Sequence, residues 1–312
     1  MCIVPVSKFS IIITCHNQAH LVRDAVDSAL RQLHPNKEVI VVDDGSSDGS
    51  AAVLRAYGER ILFCRLQQNA GPARARNAGA ALATGDYLAF LDGDDALQPW
   101  ALAIYQRIVH NCRPKLILGT LQWCKGQLIA DSDAIPQKIE FISYDYWAEK
   151  DRPFRSSASA LVVQRIAFEA VKGWPEEVTI FEDQYLETKL AYSGRTIQVV
   201  SPATVLYRLH ESNITHDTRK LISGCYLLLA AFKGSTPANW WQHLTSSALI
   251  GGPAFWVLRR AYRAGLRAEA GKLFLRAWPV VSVAALARFR SLVFGRRPVE
   301  VLASAEFPPA WG

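Results

Sequence analysis

The sequence predicts an α/β fold, with a mostly parallel sheet flanked by helices and an appended helical region at the C-terminus. In the first 95 residues, short and continuously apolar runs alternate with segments of helical periodicity, as in buried strands joined by helices. Such alternation indicates right-handed βαβ units. After about residue 216 the strand patterns end, and apolar residues recur at helical spacing.

The first part of the chain contains four predicted strands and three predicted helices. The strands are expected at residues 9–15, 37–44, 60–66 and 86–92, and the helices at 19–33, 47–57 and 72–83. The segments TCHN, DDGSSDGS and DGDD stand at the ends of the first, second and fourth strands. Because ligands bind at the carboxyl ends of the strands in such sheets, we expect these segments to line one crevice.

The second part continues the pattern less regularly. Helices are expected at residues 96–110, 165–171 and 182–192, and strands at 115–121, 156–164 and 196–200. Residues 125–155 give no clear pattern, and the chain beyond about residue 216 is expected to be helical throughout. The predicted divisions of the chain are residues 1–95, 96–216 and 217–312.

Composition is that of an ordinary globular protein. The hydrophobic fraction of the 312 residues is 50%, which is ample for a core. The six cysteines form no CxxC pair, so neither a zinc site nor a disulfide framework is indicated. The sequence lacks a secretory signal pattern, and no stretch reaches the roughly 18 apolar residues of a spanning helix. We therefore expect a cytoplasmic protein.

The net charge of +7 is concentrated near the C-terminus. Residues 251–297 contain ten Lys or Arg and one acid, Glu269, interleaved with aliphatic and aromatic side chains at helical spacing. Basic helices with apolar faces can lie on an anionic membrane surface, or they can pack on the α/β part with their arginines in water. Both interpretations stay open, whereas the interleaving disfavours binding of nucleic acid.

The stretch DGDD places three carboxylates, Asp92, Asp94 and Asp95, directly after a predicted buried strand. Like charges packed together repel and raise one another's pKa, so a fold bears them where a cation compensates. The alternative is a solvated turn that caps the next helix. No GxGxxG follows the first strand and no P-loop motif occurs, which disfavours a dinucleotide-binding Rossmann domain and a P-loop nucleotidase.

Five segments, taken in order, resemble the family-2 glycosyltransferases, which have the GT-A fold. They are SIIITCHNQAHLVRDAVDSALRQ, EVIVVDDGSSDGS, NAGPARARNAGAALATGDYLAFLDGDD, FEDQYLETKLAYSGRT and YRLHESNIT. The resemblance covers about residues 9–216. It implies an inverting, metal-dependent transfer of a hexose from a nucleotide sugar, typically a UDP-sugar, to a hydroxyl. Residues 1–95 would then bind the nucleotide sugar, and residues 96–216 the acceptor.

The resemblance assigns the nucleotide sugar to side chains at the ends of three strands, on the third helix and in a later loop. These side chains are Thr14, His16, Asn17, Asp43, Asp44, Arg76, Asn77, Asp92 and Trp174. Asp43 or Asp44 would accept a hydrogen bond from the base, and Arg76 would approach the diphosphate. A Trp face suits a sugar ring, although Trp174 is equally compatible with a position in the core.

The resemblance also assigns a metal site and a catalytic base. Asp94, Asp95 and His210 would hold Mn²⁺ or Mg²⁺, hard cations that prefer oxygen ligands. Asp183 would take the proton from the acceptor hydroxyl as that oxygen attacks the anomeric carbon. The structural alternatives are a helix cap for Asp183 and a purely structural histidine at His210.

The expected partners are a nucleotide-sugar donor, a saccharide or lipid-linked saccharide acceptor, and the inner face of the cell membrane through the basic C-terminal helices. The expected role is in the synthesis of a cell-surface polysaccharide. Two alternatives remain. One is a catalytically degenerate family member that acts as a binding or scaffold subunit. The other is a nucleotidyltransferase, which would normally show a glycine-rich, basic loop where TCHNQAH stands.

Overall fold

The described part of the chain forms two β-sheets with helices packed around them, followed by three long helices. The structure is a computed structural model. It describes residues 6–128, 130, 134–144, 157–178, 180–191, 196–210, 217–234, 240–294 and 300–303.

The first part alternates strands and helices as predicted. Its elements are β1 (Phe9–Cys15), α1 (Val22–Leu30), β2 (Lys37–Asp43), α2 (Ser50–Arg55), β3 (Leu62–Arg65), α3 (Pro72–Leu82) and β4 (Tyr87–Asp92). β1 lies between β2 and β4, β3 lies outside β2, and all three pairs are parallel. Every residue of β1 is buried, which fits its mainly apolar sequence. α1 begins later than expected because the N–H of Leu21 donates to the carbonyl of Gln18 in a turn.

The second part adds seven strands and helices to the large sheet and its faces, and three strands that form the small sheet. They are β5 (Ala96–Leu97), α4 (Ala101–Cys112), β6 (Leu116–Leu118), β7 (Leu121–Lys125), β8 (Lys138–Tyr144), β9 (Leu161–Gln164), α5 (Arg165–Ala170), α6 (Glu182–Ala191), β10 (Thr196–Ser201) and β11 (Val205–Leu209). The expectation of a helix from residue 96 is wrong at its start, because Ala96 and Leu97 pair with β11.

The predicted strand at residues 115–121 is divided into β6 and β7, which belong to different sheets. The chain turns at Gly119, whose N–H donates to the carbonyl of Ala160 at 2.7 Å. A Cβ at Gly119 would lie 2.5 Å from Oγ1 of Thr204, so the turn needs glycine. The division of this strand into β6 and β7 depends on contacts with segments that are distant in the chain, so no local sequence pattern predicts it.

The predicted strand at residues 156–164 is shorter in the structure. β9 is preceded by a 3₁₀ turn, Ala158–Ala160, and the side chain of Ser157 caps this turn by accepting the N–H of Ser159. Ser156 lies outside the described residues.

The C-terminal part is helical except at its end. Its elements are α7 (Thr218–Gly234), α8 (Trp240–Arg263), α9 (Arg267–Phe294) and β12 (Glu300–Ala303). The expectation that no strand follows residue 216 is wrong at β12, which pairs antiparallel with β8. β8 otherwise presents an unpaired edge, and a four-residue partner is too short to show a pattern of its own. Within the described ranges, no helix has the length and apolarity needed to cross a membrane.

The large sheet has nine strands in the order β12-β8-β10-β6-β9-β4-β1-β2-β3, and the small sheet has the order β5-β11-β7. The predicted α/β fold is confirmed. Parallel pairs join β3, β2, β1 and β4 and also β6 and β10, whereas β9, β8 and β12 run antiparallel to their neighbours. The large sheet is therefore mixed, with its parallel half at the N-terminal end of the chain.

Three hydrophobic clusters stabilise this arrangement. Helices α1, α2 and α4 cover one face of the large sheet, and α3, α5 and α6 cover the other. The third cluster, here called the C-terminal helix cluster, joins α7, α8 and α9 to Ile180, with Phe181 and Tyr185 packed at its margin. The segment that leads into α6 therefore rests on the C-terminal helices.

Candidate active site

The carboxyl ends of β2, β1 and β4 lie side by side. In the parallel register, Cys15 of β1 is opposite Asp43 of β2, and Thr14 of β1 is opposite Asp92 of β4. Neighbouring strands are about 4.8 Å apart, so these residues lie at one edge of the sheet. The segments TCHN, DDGSSDGS and DGDD meet at this edge, as expected.

The loop after β1 is tied to the loop after β2. The N–H of Asn17 donates to Oγ of Ser46 at 2.9 Å, and Asn17 has a φ of 54°, a left-handed conformation that Asn tolerates. Nδ1–H of His16 donates to the carbonyl of Asp44 at 2.7 Å, which leaves Nε2 to accept from Nδ2 of Asn17 at 3.1 Å. His16 and Asn17 therefore have fixed positions near the surface, whereas Thr14 is buried.

Asp43 and Asp44 are buried, and the protein itself compensates their charges. Oδ1 of Asp43 accepts the N–H of Ser46 at 2.9 Å, and its Oδ2 lies 3.2 Å from Nε of Arg65. The two carboxylate oxygens of Asp44 accept two backbone N–H groups of the loop before α3, at 2.7 and 2.9 Å. This pair therefore holds two loops in place, and its contact with a nucleotide base stays a prediction.

Cys15 lies next to this acidic pair. Burial raises the pKa of its thiol to about 12, and the carboxylates of Asp43, Asp48 and Asp44 add to the shift. The thiol therefore stays protonated at neutral pH, which excludes it as a thiolate nucleophile.

Arg76 of α3 is a buried cation that joins two parts of the site. It is 3% exposed, and its Nη2 and Nη1 donate to Oδ1 of Asp92 at 2.7 Å and to Oε1 of Glu182 at 2.9 Å. Burial lowers the pKa of this guanidinium, but the two carboxylates outweigh burial and raise it. Arg76 therefore holds the end of β4 to the start of α6, and its contact with a diphosphate stays a prediction.

Trp174 belongs to the core, which corrects the expectation that its face binds a sugar. It is 2% exposed, Cζ of Arg76 lies 4.7 Å from its ring centroid, and Phe90 meets it edge-on at 5.0 Å. Asn77 fixes this loop, because its Oδ1 accepts the N–H of Trp174 at 2.9 Å and its Nδ2 donates to the carbonyl at 3.0 Å. Asn77 thus contacts protein backbone, and a contact with the donor stays a prediction.

The three carboxylates after β4 converge. One oxygen from each of Asp92, Asp94 and Asp95 lies within 4.8 Å of the others. Oδ2 of Asp94 lies 2.7 Å from Nε2 of His210, and Oδ2 of the buried Asp95 accepts from Oγ of Ser159 at 2.6 Å. The group includes Asp92, which the resemblance assigned to the donor, and His210 adjoins it through Asp94.

The protein compensates the charge of this group only in part. Burial raises the pKa of Asp94, and the neighbouring Asp92 adds to this, although His210 opposes the shift. Burial also raises the pKa of Asp95 well above its usual value, together with Asp94 and Asp92. Three converging carboxylates, two of them with raised pKa values, form a set of hard oxygen donors that suits a divalent cation.

Asp183 is the second residue of α6. Phe181, just before the helix, has a φ of 70°, a left-handed conformation that is rare for a bulky side chain. Its carbonyl accepts the N–H of Tyr185 at 3.0 Å and so begins the helix. Oδ1 of Asp183 accepts the N–H of Gln184 at 2.7 Å, and a carboxylate in the first turn suits the helix dipole. Local capping and a role as a base are compatible at this position.

Two residues of the site went unnoticed in the sequence. Arg208 donates its backbone N–H to Oδ1 of Asp95 at 2.9 Å and its Nε to the carbonyl of Asp94 at 2.9 Å. Ser159 donates to the other oxygen of Asp95. Arg208 lies in the segment YRLHESNIT, one of the five segments that resemble the family. Ser159 lies in a predicted strand and is not distinguished by any pattern in the sequence.

Tyr207 connects the carboxylates after β4 with α6. Burial raises the pKa of its hydroxyl, and the carboxylates of Asp95, Asp92, Asp94 and Asp183 all add to the shift. The charges of the candidate metal ligands and of the candidate base therefore act on the same side chain.

Comparison with known proteins agrees with this geometry. A family model described as glycosyl transferase family 2 matches residues 10–164. The putative teichuronic acid biosynthesis glycosyltransferase TuaG of Bacillus subtilis (strain 168) is 44% identical over 89 residues, which cover 28% of this chain and 35% of TuaG. The chain spans less than half the length of the curated relatives that it matches, between 15% and 43%.

Two solved structures share the fold. S. aureus TarS in complex with UDP-GlcNAc superimposes with a TM-score of 0.68 at 16% identity, over 89% of this chain and 81% of TarS. The mannosyltransferase PcManGT from Pyrobaculum calidifontis, in complex with GDP-Man and Mn²⁺, gives a TM-score of 0.55 at 17% identity, over 94% of this chain and 89% of PcManGT. With its GT-A fold and its family match, the chain belongs to glycosyl transferase family 2.

Proposed function

We propose that this protein is an inverting, metal-dependent glycosyltransferase. It would transfer a sugar, of hexose type, from a nucleotide sugar to a hydroxyl of a saccharide or lipid-linked saccharide in cell-surface polysaccharide synthesis. The observation that carries the proposal is the convergence of Asp92, Asp94 and Asp95, one oxygen of each within 4.8 Å of the others. Family membership and the similarity to TuaG support it.

The carboxylates after β4 fit a divalent cation, because their oxygens converge and the pKa values of Asp94 and Asp95 are raised. The presence of Mn²⁺ in the PcManGT complex supports this class of ion. When bound, Mn²⁺ or Mg²⁺ would neutralise charge that develops on the departing nucleoside diphosphate. His210 would orient Asp94 through their 2.7 Å contact.

The donor would lie along the ends of β1, β2 and β4. His16 and Asn17 are held near the surface by the bonds described above, and Asp43 and Asp44 adjoin them. UDP-GlcNAc in the TarS complex supports a UDP-sugar. PcManGT was solved with GDP-Man, so GDP-sugars belong in any test of donor choice.

Asp183 is the candidate base. Its neighbour Glu182 is engaged by buried Arg76, which favours Asp183 as the carboxylate that accepts a proton. Deprotonation of the acceptor hydroxyl by Asp183 would allow that oxygen to attack the anomeric carbon opposite the diphosphate. One displacement inverts the anomeric configuration, so no covalent sugar–enzyme intermediate is expected.

A peripheral contact with the inner face of the membrane is part of the proposal. α9 exposes Leu275 and Leu286 among its basic residues. Helices that combine exposed apolar side chains with Lys and Arg bind anionic lipid surfaces. Such a contact would bring the site near a lipid-linked acceptor.

The first experiment measures UDP or GDP release from a panel of nucleotide sugars, with and without Mn²⁺, together with calorimetric binding of the same donors. The variants are Asp94→Ala, Asp183→Asn and, as a control, Glu177→Gln, a change at an exposed acid in the loop before α6. We expect metal-dependent binding that Asp94→Ala abolishes. Asp183→Asn should lower turnover by about 10²- to 10⁴-fold while it keeps donor affinity.

Two outcomes contradict the proposal. If no UDP-, dTDP- or GDP-sugar binds in the presence of metal, the protein is not a nucleotide-sugar enzyme, and the scaffold alternative gains support. If Asp183→Asn leaves turnover intact, the base lies elsewhere. The anomeric configuration of the product, measured by proton NMR, tests the inverting mechanism separately.

A further inference from the structure

Trp123 and Tyr207 form an aromatic pair at the margin of the small sheet. They are opposite each other in the parallel register of β7 and β11, with ring centroids 4.7 Å apart and an interplanar angle of 56°. Trp123 is 50% exposed. A large indole that faces water beside a second ring is an unusual use of apolar surface.

The pair lies between the hydrophobic core and the candidate active site. The preceding pair on the same side of these strands, Val205 and Leu121, packs into the core. The residue after Tyr207, Arg208, donates its backbone N–H to Oδ1 of Asp95 at 2.9 Å. The pair therefore follows a core pair along these strands, and the residue next to Tyr207 binds one of the carboxylates after β4.

Tyr207 also lies near the candidate base. Its hydroxyl experiences the charge of Asp183 as well as that of the carboxylates after β4. Among the residues that the structure describes, none forms a hydrogen bond with this hydroxyl. Tyr207 contributes a phenolic hydroxyl, and Trp123 beside it contributes an exposed indole ring.

The chemistry of this surface selects a neutral, amphipathic ligand. The C–H face of a pyranose ring packs on an aromatic ring, while its hydroxyl groups need donors and acceptors at the margin. A second anionic ligand is disfavoured, because the nearby carboxylates would repel it. A sugar ring satisfies each of these conditions.

We propose that Trp123 and Tyr207 form a subsite for a pyranose ring of the acceptor saccharide, in which Trp123 stacks on the ring and the Tyr207 hydroxyl bonds one of its oxygens. This inference rests on the proposed glycosyltransferase function. It assigns to Trp123 the role in sugar binding that Trp174, which is covered by protein, does not perform.

The chain contains a matched control for exposed aromatic surface. Trp278 of α9 is 54% exposed and packs against Phe274 at 5.2 Å, so it resembles Trp123 in exposure and in having an aromatic neighbour. It lies in the C-terminal helices, apart from the carboxylates. A specific sugar subsite should depend on Trp123 and be indifferent to Trp278.

The test is saturation-transfer NMR on the full chain with UDP and Mn²⁺ present. The probes are the methyl glycosides of glucose, galactose, mannose and N-acetylglucosamine, and the variants are Trp123→Ala, Trp123→Phe and Trp278→Ala. We expect at least one glycoside to bind, with affinity about tenfold weaker in Trp123→Ala, partly restored in Trp123→Phe and unchanged in Trp278→Ala. Thermal melting checks that each variant is folded.

Calorimetric binding of the donor to the same variants, with Mn²⁺ but without UDP, separates the two proposals. If the wild type binds no nucleotide sugar, the proposed function fails and this inference with it. If donor binding is intact but Trp123→Ala binds the glycosides as the wild type does, the subsite alone is overturned. The same conclusion follows if the wild type binds none of the glycosides, or if Trp278→Ala loses as much affinity as Trp123→Ala.

Discussion

Two groups of aspartates lie at the carboxyl ends of β2 and β4, the strands on either side of β1 in the large sheet, yet their environments differ. Asp43 and Asp44, after β2, accept three backbone N–H groups and adjoin an arginine. Asp92, Asp94 and Asp95, after β4, also have partners, but burial and mutual repulsion still raise the pKa values of Asp94 and Asp95. The first group is compensated within the protein, and the second is compensated only in part.

The difference shows how a fold can use the same residue type for two purposes. Backbone N–H groups that converge on a carboxylate make it a structural anchor. Carboxylates that converge on one another need a cation. The number of acidic residues at a strand end therefore does not identify a metal site. The negative charge that the protein's own hydrogen bonds and ion pairs leave uncompensated is the better indicator.

The largest expected effect comes from Asp94→Asn. Removal of one charge from the group after β4 should lower donor turnover by about 10²-fold or more, because stabilisation of the leaving diphosphate is lost. Addition of Mn²⁺ should raise the melting temperature of the wild type but not that of the variant. The matched control is Asp43→Asn in the compensated pair, which should keep the Mn²⁺ response. A variant at Asp94 that still responds to Mn²⁺ would place the metal elsewhere.

Arg76→Met tests the buried cation beside Asp92. Its removal leaves the carboxylates of Asp92 and Glu182 without their partner, so we expect a loss of about 3–5 kcal/mol in the free energy of unfolding. Urea denaturation measures this loss. Arg74→Met, two residues away on α3, removes an exposed ion pair with Glu176 and should cost at most about 1 kcal/mol. Equal effects would show that burial does not distinguish the two arginines.

Asp44→Ala tests the structural anchor. The N–H groups of Ala70 and Gly71 lose their acceptor, so we expect a loss of about 1–3 kcal/mol in the free energy of unfolding. Asn69→Ala removes only a shared, exposed acceptor of the Gly71 N–H and should cost less. Urea denaturation of both variants gives the comparison. If Asp44→Ala is as stable as the wild type, the loop does not depend on this carboxylate.

A smaller effect is expected in the pH dependence of the stability of the metal-free protein. Because the folded-state pKa values of Asp94 and Asp95 are raised, their contribution to stability is fully present below the unfolded value of about 3.9 and is lost as pH rises through the raised values. With EDTA present, the melting temperature should therefore fall as pH increases through this range. Asp94→Asn should flatten this fall, and a rise in its place would contradict the incomplete compensation.

Glu38 lies at the opposite end of β2 from Asp43, and its effect on the pH dependence of stability has the opposite sign to that of Asp94 and Asp95. Burial raises the pKa of Glu38, but hydrogen bonds from Lys8, Ser10 and Thr84 outweigh burial and lower it to about 2. Its contribution to stability is present above the unfolded value of about 4.3 and is lost as pH falls towards 2. Glu38→Gln should lower the melting temperature above about pH 4.3 and leave it nearly unchanged near pH 2, so the acid limb of the melting profile becomes shallower. A loss of equal size at both ends of this range would contradict the assignment.

The elements that position the carboxylates could be predicted from the sequence because their determinants are local. β1 and β4 are continuously apolar and end in polar residues, and parallel register brings Thr14 and Asp92 together without further information. The three aspartates of the stretch DGDD also indicated, from the sequence alone, an excess of negative charge at this strand end. Its compensating partners could not be predicted, since Ser159 and Arg208 lie 64 and 113 residues from Asp95 in the chain.

The failures have the same physical origin. Trp174 is a residue type that is common in sugar-binding loops, but tertiary packing against Arg76 and Phe90 covers its ring. Trp123 lay just beyond the predicted strand at residues 115–121, and its position beside the site follows only from its register with Tyr207. β12 is a strand because β8 offers it an edge. Non-local contacts decide each of these cases, and one-dimensional patterns do not contain them.

The contact between α7 and the segment before α6 bears on where this protein can be cut. Ile180 belongs to the C-terminal helix cluster, and α7 approaches it so closely that a Cβ at Gly224 would lie 2.5 Å from the Cβ of Ile180. A fragment that ends at residue 216 would carry nearly all of the motif-bearing sequence, yet it would remove the wall behind the residues that lead to Asp183 and uncover the edge of β8. Chimeras and truncations designed on motif boundaries will therefore divide a hydrophobic core, because the motif-bearing region is smaller than the folding unit.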